Sequence, residues 1–218
     1  MSNICFVNGS PKANAKSNSD FFINEFLNYI ENNSIISRYY ASKVVNDKES
    51  LEKILSNDII IFVSPLYADT FPSRMLEFLC NLEVLAKNKD HKNIKVYGIV
   101  NCGFYEGRQC RHALDMLKYF SRKCGFTWKF GITIGGGEYL KSFKDGLKNT
   151  IHAESLCNAF DMLAQSINNP DFNQNENICT SPDKMSAGIY RLASNFGWCY
   201  SVFKSKTISI PELFKKIY

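Results

Sequence analysis

Ser10, Lys12, Ser17 and Ser19 follow a short apolar run, Ile4-Cys5-Phe6-Val7, that ends at Asn8-Gly9. Hydroxyls and an ammonium gathered on one loop suit the binding of an oxyanion. Apolar residues at helical spacing come next (Phe22, Phe26, Tyr29, Ile30), so the local order is strand, loop, helix. A helix start leaves several backbone N–H groups unpaired and carries a partial positive charge. Hydroxyl donors beside it complete a pocket for a phosphate. The plain alternative is a helix cap, which also takes Ser or Asn. A cap needs one hydroxyl, whereas Ser10, Ser17 and Ser19 supply three.

The elements that must position this loop read as alternating strands and helices. Strands are expected at 3–8, 35–40, 58–65, 94–102 and 127–134. The third, Ile59-Ile60-Ile61-Phe62-Val63, is an unbroken apolar run of the kind buried on both faces of a parallel sheet. Helices are expected at 18–32 (ending at Asn32-Asn33), 49–55, from Pro72 onward, 107–124 with Gly125 as its stop, and 149–167. Alternation at this length implies parallel strands joined by right-handed crossovers. The expected fold is a three-layer, flavodoxin-like, doubly wound sheet of five parallel strands with a C-terminal helical extension. A domain over 1–168 is then followed by a linker and helical tail over 169–218. Residues 168–184 are rich in Asn, Asp and Pro, and Met185 to Phe203 repeats apolar residues at helical spacing. That tail helix packs on the domain or on a partner subunit, with Trp198, Tyr200 and Phe214 as candidate contacts.

Ligands of an open parallel sheet bind outside the carboxyl ends of its strands. Three further strand-end loops are unusual: Ser64 to Pro72, Asn101 to Gly107, and Gly135 to Glu138. Each alone is ordinary turn chemistry. Together they suggest a flat ligand with a phosphate tail. Pro65, Leu66 and Tyr67 form an apolar wall, and Gly103 with the Gly135–Gly137 run lets backbone N–H groups come close.

Composition narrows the rest. A 45% apolar fraction over 218 residues supports one packed domain. No apolar run approaches the roughly 20 residues of a membrane span, no leader peptide is evident, and no membrane partner is expected. The eight Cys form no C-x-x-C pair, and the three His are scattered, so local metal-ligand spacing is lacking. Most cysteines read as small buried hydrophobes in a reducing cytoplasm. The net charge of +5 is dispersed, which argues against nucleic acid.

Here a resemblance becomes specific. Gly9-Ser10-Pro11-Lys12 … Ser17-Asn18-Ser19 resembles the Gly-Ser-Pro-Arg … Ser-x-Ser/Thr phosphate loop of the NAD(P)H-dependent FMN reductases. Ser64-Pro65-Leu66-Tyr67 with Pro72 resembles that family's second flavin loop. The likeness covers roughly residues 3–165 and is looser in the third and fourth loops. Lys12 stands where Arg is usual, keeping the charge but not the planar fork. Arg74-Met75-Leu76-Glu77 replaces a small residue and Leu-Lys, and the cysteines of the iron–sulfur relatives are absent.

The resemblance implies non-covalent FMN, with NAD(P)H as co-substrate. Ser10, Lys12, Ser17, Asn18 and Ser19 would hold the phosphate. Pro65, Leu66 and Tyr67 would line the ribityl chain and a ring edge, and Asn101, Gly103, Phe104 and Gly136 would border the ring. The implied reaction passes hydride from the nicotinamide to a small acceptor: free flavin, a quinone, or a nitro or azo compound. Backbone N–H groups would steady the reduced ring. No side-chain acid, base or nucleophile is required, so no catalytic residue is named. Cys102 reads as a filler, because nothing adjacent in sequence would lower its pKa. Tyr105 and Glu106 read as solvated, and His112 as structural. No basic pocket for a 2′-phosphate is apparent. The family likeness also implies a homodimer or homotetramer. The rival readings are a flavodoxin-type electron carrier, which a net-basic chain fits poorly, and a flavin-free binding module.

Overall fold

The computed structural model describes residues 2–12, 16–31, 34–87, 94–169, 171–174 and 176–205. The chain divides into two compact units, 1–183 and 184–218.

In the first unit, β1 (Asn3–Asn8), β2 (Ile35–Tyr40), β3 (Ile59–Pro65), β4 (Lys95–Asn101), β5 (Thr127–Ile134) and β6 (Ile178–Thr180) form one sheet in the order β2-β1-β3-β4-β5-β6. Every neighbouring pair is parallel. The sheet therefore has six strands, not the expected five. β6 escapes sequence reading because it is three residues long and lies in an Asn- and Asp-rich stretch. Its strand character comes from pairing with β5, Ile132 to Ile178 and Ile134 to Thr180. The expected linker region thus contributes an edge strand to the first unit.

Side chains alternate across the sheet, as the period of two requires. Cys5, Val7, Ile60, Phe62, Val96 and Val100 face one core. It is covered by α2 (Ala41–Val44), α3 (Lys48–Leu55), α4 (Ser73–Ala86) and α5 (Arg111–Lys123). Ile4, Phe6, Ile61, Val63, Ile99 and Ile132 face the other. That side is covered by α1 (Asn18–Leu27), α6 (Gly137–Lys141) and α7 (Glu154–Asn168). The strands are apolar on both faces because both faces are covered.

Several boundaries move. α1 stops at Leu27, short of the expected end at Asn32-Asn33, which lies outside the described residues. α5 is preceded by a separate 3-10 turn, Gly107–Cys110. α7 begins at Glu154 rather than at 149, where a short 3-10 turn ends instead. Pro72 is the N-cap of α4 and not its first helical residue. Gly125 adopts φ +73° directly after α5, as a helix stop demands.

The second unit contains α8 (Ala187–Ser205). Its Ile189, Leu192, Phe196, Trp198, Tyr200 and Phe203 are exposed. Phe214 lies outside the described residues. No helix of the described residues is long and apolar enough to cross a membrane.

Candidate active site

The first loop leaves β1 at Asn8 and is held by buried polar contacts. Gly9 N–H donates to Val63 O at 2.9 Å. A Cβ on Gly9 would lie 2.5 Å from Ser64 Oγ and 2.8 Å from Ser64 Cβ, so only glycine lets the loop cross the end of β3 this closely. Asn8 Oδ1 accepts from Ser10 N–H at 2.8 Å, and Asn8 Nδ2 donates to Asp20 Oδ1 at 2.9 Å. Tyr40 Oη donates to the same Asp20 oxygen at 2.8 Å. The buried Asp20 carboxylate thereby ties β1, β2 and α1 together.

The three serines are not equivalent. Ser17 is the N-cap of α1 in a capping box. Its Oγ accepts from Asp20 N–H at 3.0 Å and donates to Asp20 Oδ2 at 2.6 Å. Ser10 Oγ accepts from Lys12 N–H at 3.2 Å, and Ser19 Oγ accepts from Asn101 Nδ2 at 3.4 Å. Neither hydroxyl donates to a described residue. Asn18 N–H and Ser19 N–H, in the first turn of α1, have no acceptor among the described residues either. The helix cap falls on Ser17, whereas the donors left unspent among the described residues belong to Ser10, Asn18 and Ser19.

These groups open into a cavity of about 230 Å³. Ser10, Lys12, Ser17, Asn18, Ser19, Pro65, Leu66, Tyr67, Asn101 and Gly103 all line it, joined by Cys102 and Glu138. Asn101, 1% exposed, is one of these lining residues and donates to Ser64 O at 3.1 Å. Leu66 N–H donates to Asn101 O at 2.8 Å, which fixes the apolar wall against β4. Nothing lies within 4 Å of the position a Gly103 Cβ would take, so that side of the cavity is open for a flat group.

Two expected residues stand apart. Phe104 and Gly136 do not line the cavity; Gly136 N–H donates to Phe104 O at 2.6 Å. The whole glycine run is spent in this way. Gly135 N–H donates to Thr180 O at 3.0 Å and Gly137 N–H to Cys102 O at 2.8 Å. Those amides brace the rim and are not aimed into the cavity as expected. A Cβ on Gly135 would collide with Tyr105 O and Gly107 N, and one on Gly107 with Thr180 O. The third and fourth loops and β6 therefore touch backbone to backbone.

Glu138 and Cys102 complete the lining. Glu138 Oε2 accepts from Asn18 Nδ2 at 2.7 Å. The Cys110 thiol, returned by the 3-10 turn, hydrogen-bonds Cys102 and holds its thiol below the ordinary thiol value, against the opposing effect of burial. Cys110 itself is pushed up by that same partner and by burial. The sequence reading, which found nothing adjacent to lower Cys102, misses this pair because the contact depends on the turn.

No protein-family model matches the sequence, and no curated protein matches it. Solved structures do. An NADPH-quinone reductase from P. pentosaceus superposes with a TM-score of 0.55 at 18% identity, covering 75% of this chain and 98% of that one. The apo form of an NADH:FMN oxidoreductase gives 0.55 at 17% identity, over 76% and 90%. An FMN-dependent NADH-azoreductase from Bacillus anthracis, in complex with FMN, gives 0.50 at 16% identity, over 78% and 100%. The fold is flavodoxin-like. In this flavodoxin-like sheet the cavity sits at the carboxyl ends of β1, β3 and β4, where a doubly wound fold takes its ligand.

Proposed function

We propose that the chain binds FMN and passes hydride from NAD(P)H to a small electron acceptor such as a free flavin, a quinone, or a nitro or azo compound. The observation that carries this reading is the donor set of the first loop. Two amides (Asn18, Ser19) and two hydroxyls (Ser10, Ser19) with no acceptor among the described residues border one cavity together with Lys12, beside the apolar Pro65–Tyr67 wall. A phosphomonoester dianion needs that combination of amides, hydroxyls and one cation, and a ribityl chain and flat ring need the wall and the open Gly103 face. In this reading Asn101 orients Ser19, and Leu66 and Tyr67 keep water from one side of the ring. Bound FMN supplies the two-electron chemistry. The named neighbours, a quinone reductase, an FMN oxidoreductase and an azoreductase, accord with the reaction class.

The test is the visible spectrum of the purified protein, followed by anaerobic mixing with NADPH or NADH. Bound FMN that bleaches rapidly supports the reductase. Bound FMN that does not bleach indicates an electron carrier. A colourless protein whose melting temperature ignores added FMN refutes the cofactor assignment.

A further inference from the structure

The two units of this chain do not share its charge. Of the 26 Lys and Arg and the 21 Asp and Glu, six and one fall in residues 184–218: Lys184, Arg191, Lys204, Lys206, Lys215 and Lys216, against Glu212. The 20 and 20 left in residues 1–183 cancel. The whole net charge of +5 therefore belongs to the second unit. Basic residues are dispersed along the chain, as the sequence reading has it, but the excess over acid is not.

The same unit carries an apolar stripe. In α8, Ile189, Leu192, Phe196, Tyr200 and Phe203 recur at spacings of three and four. At about 100° per residue they fall within roughly a quarter of the helix circumference. Each is between 61% and 75% exposed. Trp198 lies off the stripe. α8 is the only helix or strand of its unit among the described residues, so no element of that unit covers the stripe. The helix holds no Asp or Glu, and its charged residues are Arg191 and Lys204. A contiguous exposed apolar face marks an interaction surface, and the charge beside it selects the partner.

We propose that α8 is an interfacial helix that lies on an anionic lipid surface, with the Ile189–Phe203 stripe in the acyl boundary and the cations of the unit among the headgroups. A basic helix with large apolar and aromatic residues on one face has the composition for that placement. A second copy of the chain fits less well: it would bring +5 against +5, and residues 1–183 offer no net opposite charge. Nucleic acid would use the cations but leave Ile189 and Leu192 in water. The sequence reading expects no membrane partner because no run is long enough to span. A helix lying in the plane of the headgroups needs no such run. This inference does not depend on the flavin reading.

The test is co-sedimentation of the full chain with vesicles of phosphatidylcholine alone and of phosphatidylcholine mixed with phosphatidylglycerol. Wild type is compared with Phe196→Ala, Phe203→Ala and with Arg191→Gln, Lys204→Gln. Alanine and glutamine both keep the helix propensity, and melting temperature is measured alongside. Binding to the anionic vesicles is expected to be about tenfold or more tighter than to the neutral ones. It should weaken at 1 M salt, where the screening length falls to about 3 Å. Losing the two rings is expected to weaken it by about tenfold to a hundredfold, and losing the two cations by about tenfold, on the anionic vesicles only. Wild type that stays in solution with both vesicles, or binds both equally, overturns the proposal. So does a Phe196→Ala, Phe203→Ala variant that binds as tightly as wild type. An oligomer that this variant splits, in a chain that ignores anionic vesicles, would give the stripe to a second copy and overturn it as well.

Discussion

Replacing Ser17 and replacing Ser10 by alanine are expected to have opposite consequences, although both hydroxyls are buried on one loop. Ser17 is committed to the protein: it caps α1 and donates to the buried Asp20 carboxylate at 2.6 Å. Losing an N-cap costs about 1 kcal/mol, and losing a hydrogen bond to a charged group costs about 1.5 kcal/mol more. A total of about 2–3 kcal/mol corresponds to a melting temperature lower by about 5–10 °C for a chain of this size. Asp20 keeps Asn8 and Tyr40 as partners, which holds the loss near that figure. Ser10 gives the protein only an acceptor for Lys12 N–H at 3.2 Å, worth about 0.5–1 kcal/mol. Its hydroxyl proton is available to the ligand. Ser10→Ala is therefore expected to move the melting temperature of the apo protein by no more than about 2–4 °C while raising the Kd for FMN about tenfold or more. Differential scanning fluorimetry and flavin fluorescence quenching read the two quantities separately. Should Ser17→Ala weaken FMN as much as Ser10→Ala does while leaving the melting temperature untouched, the division of labour argued from these hydrogen bonds is wrong.

The glycines offer a second contrast: Gly9→Ala, which drives a methyl into Ser64, is expected to destabilise by about 1–3 kcal/mol. Gly103→Ala, which faces open space, is expected to leave apo stability unchanged and to weaken FMN, with thermal melts and flavin titration as the checks. Removing the partner thiol by Cys110→Ala is expected to raise the pKa of Cys102, so the pH profile of its alkylation by iodoacetamide shifts to higher pH; an unmoved profile would show that Cys110 is not the cause. Burial pushes the Cys5 and Cys124 thiols up to about 12 from an ordinary 9.0. Such thiols ionise first in the unfolded chain, so their contribution is intact below pH 9 and is lost as pH rises toward 12. Melting temperature is expected to fall across that window, and less steeply in a Cys5→Ala, Cys124→Ala variant.

The parts of this architecture legible in the sequence are those where local pattern and tertiary demand agree. The bounds of β1 and β2 follow from short apolar or β-branched runs between turn residues, and Gly125 marks a helix end that the backbone honours with a positive φ. Ten of the twelve residues proposed for the ligand meet in one cavity because strand-end loops of a parallel sheet converge whatever their sequence separation. What stayed hidden depends on pairing across distance. Three residues become β6 only against β5, and Cys102 meets Cys110 only through a 3-10 turn. The glycine run looked like a ligand cradle, but its amides are consumed by Thr180, Phe104 and Cys102. Sequence shows that such a run permits close approach, not what approaches.

That consumption sets where this protein has room to diversify. Main chain lies against main chain where Tyr105 and Gly107 meet Gly135 and Thr180, so the far rim behaves as a welded frame that tolerates neither a side chain at either glycine nor a change of length in one segment alone. The Tyr67–Thr70 hairpin has no such weld: its tip, Ala68 and Asp69, already runs through left-handed backbone at φ 45° and 62°. Under the proposed reaction, drift or engineering toward a new oxidant is channelled to that tip, which can lengthen or trade residues while the rest of the mouth keeps its shape.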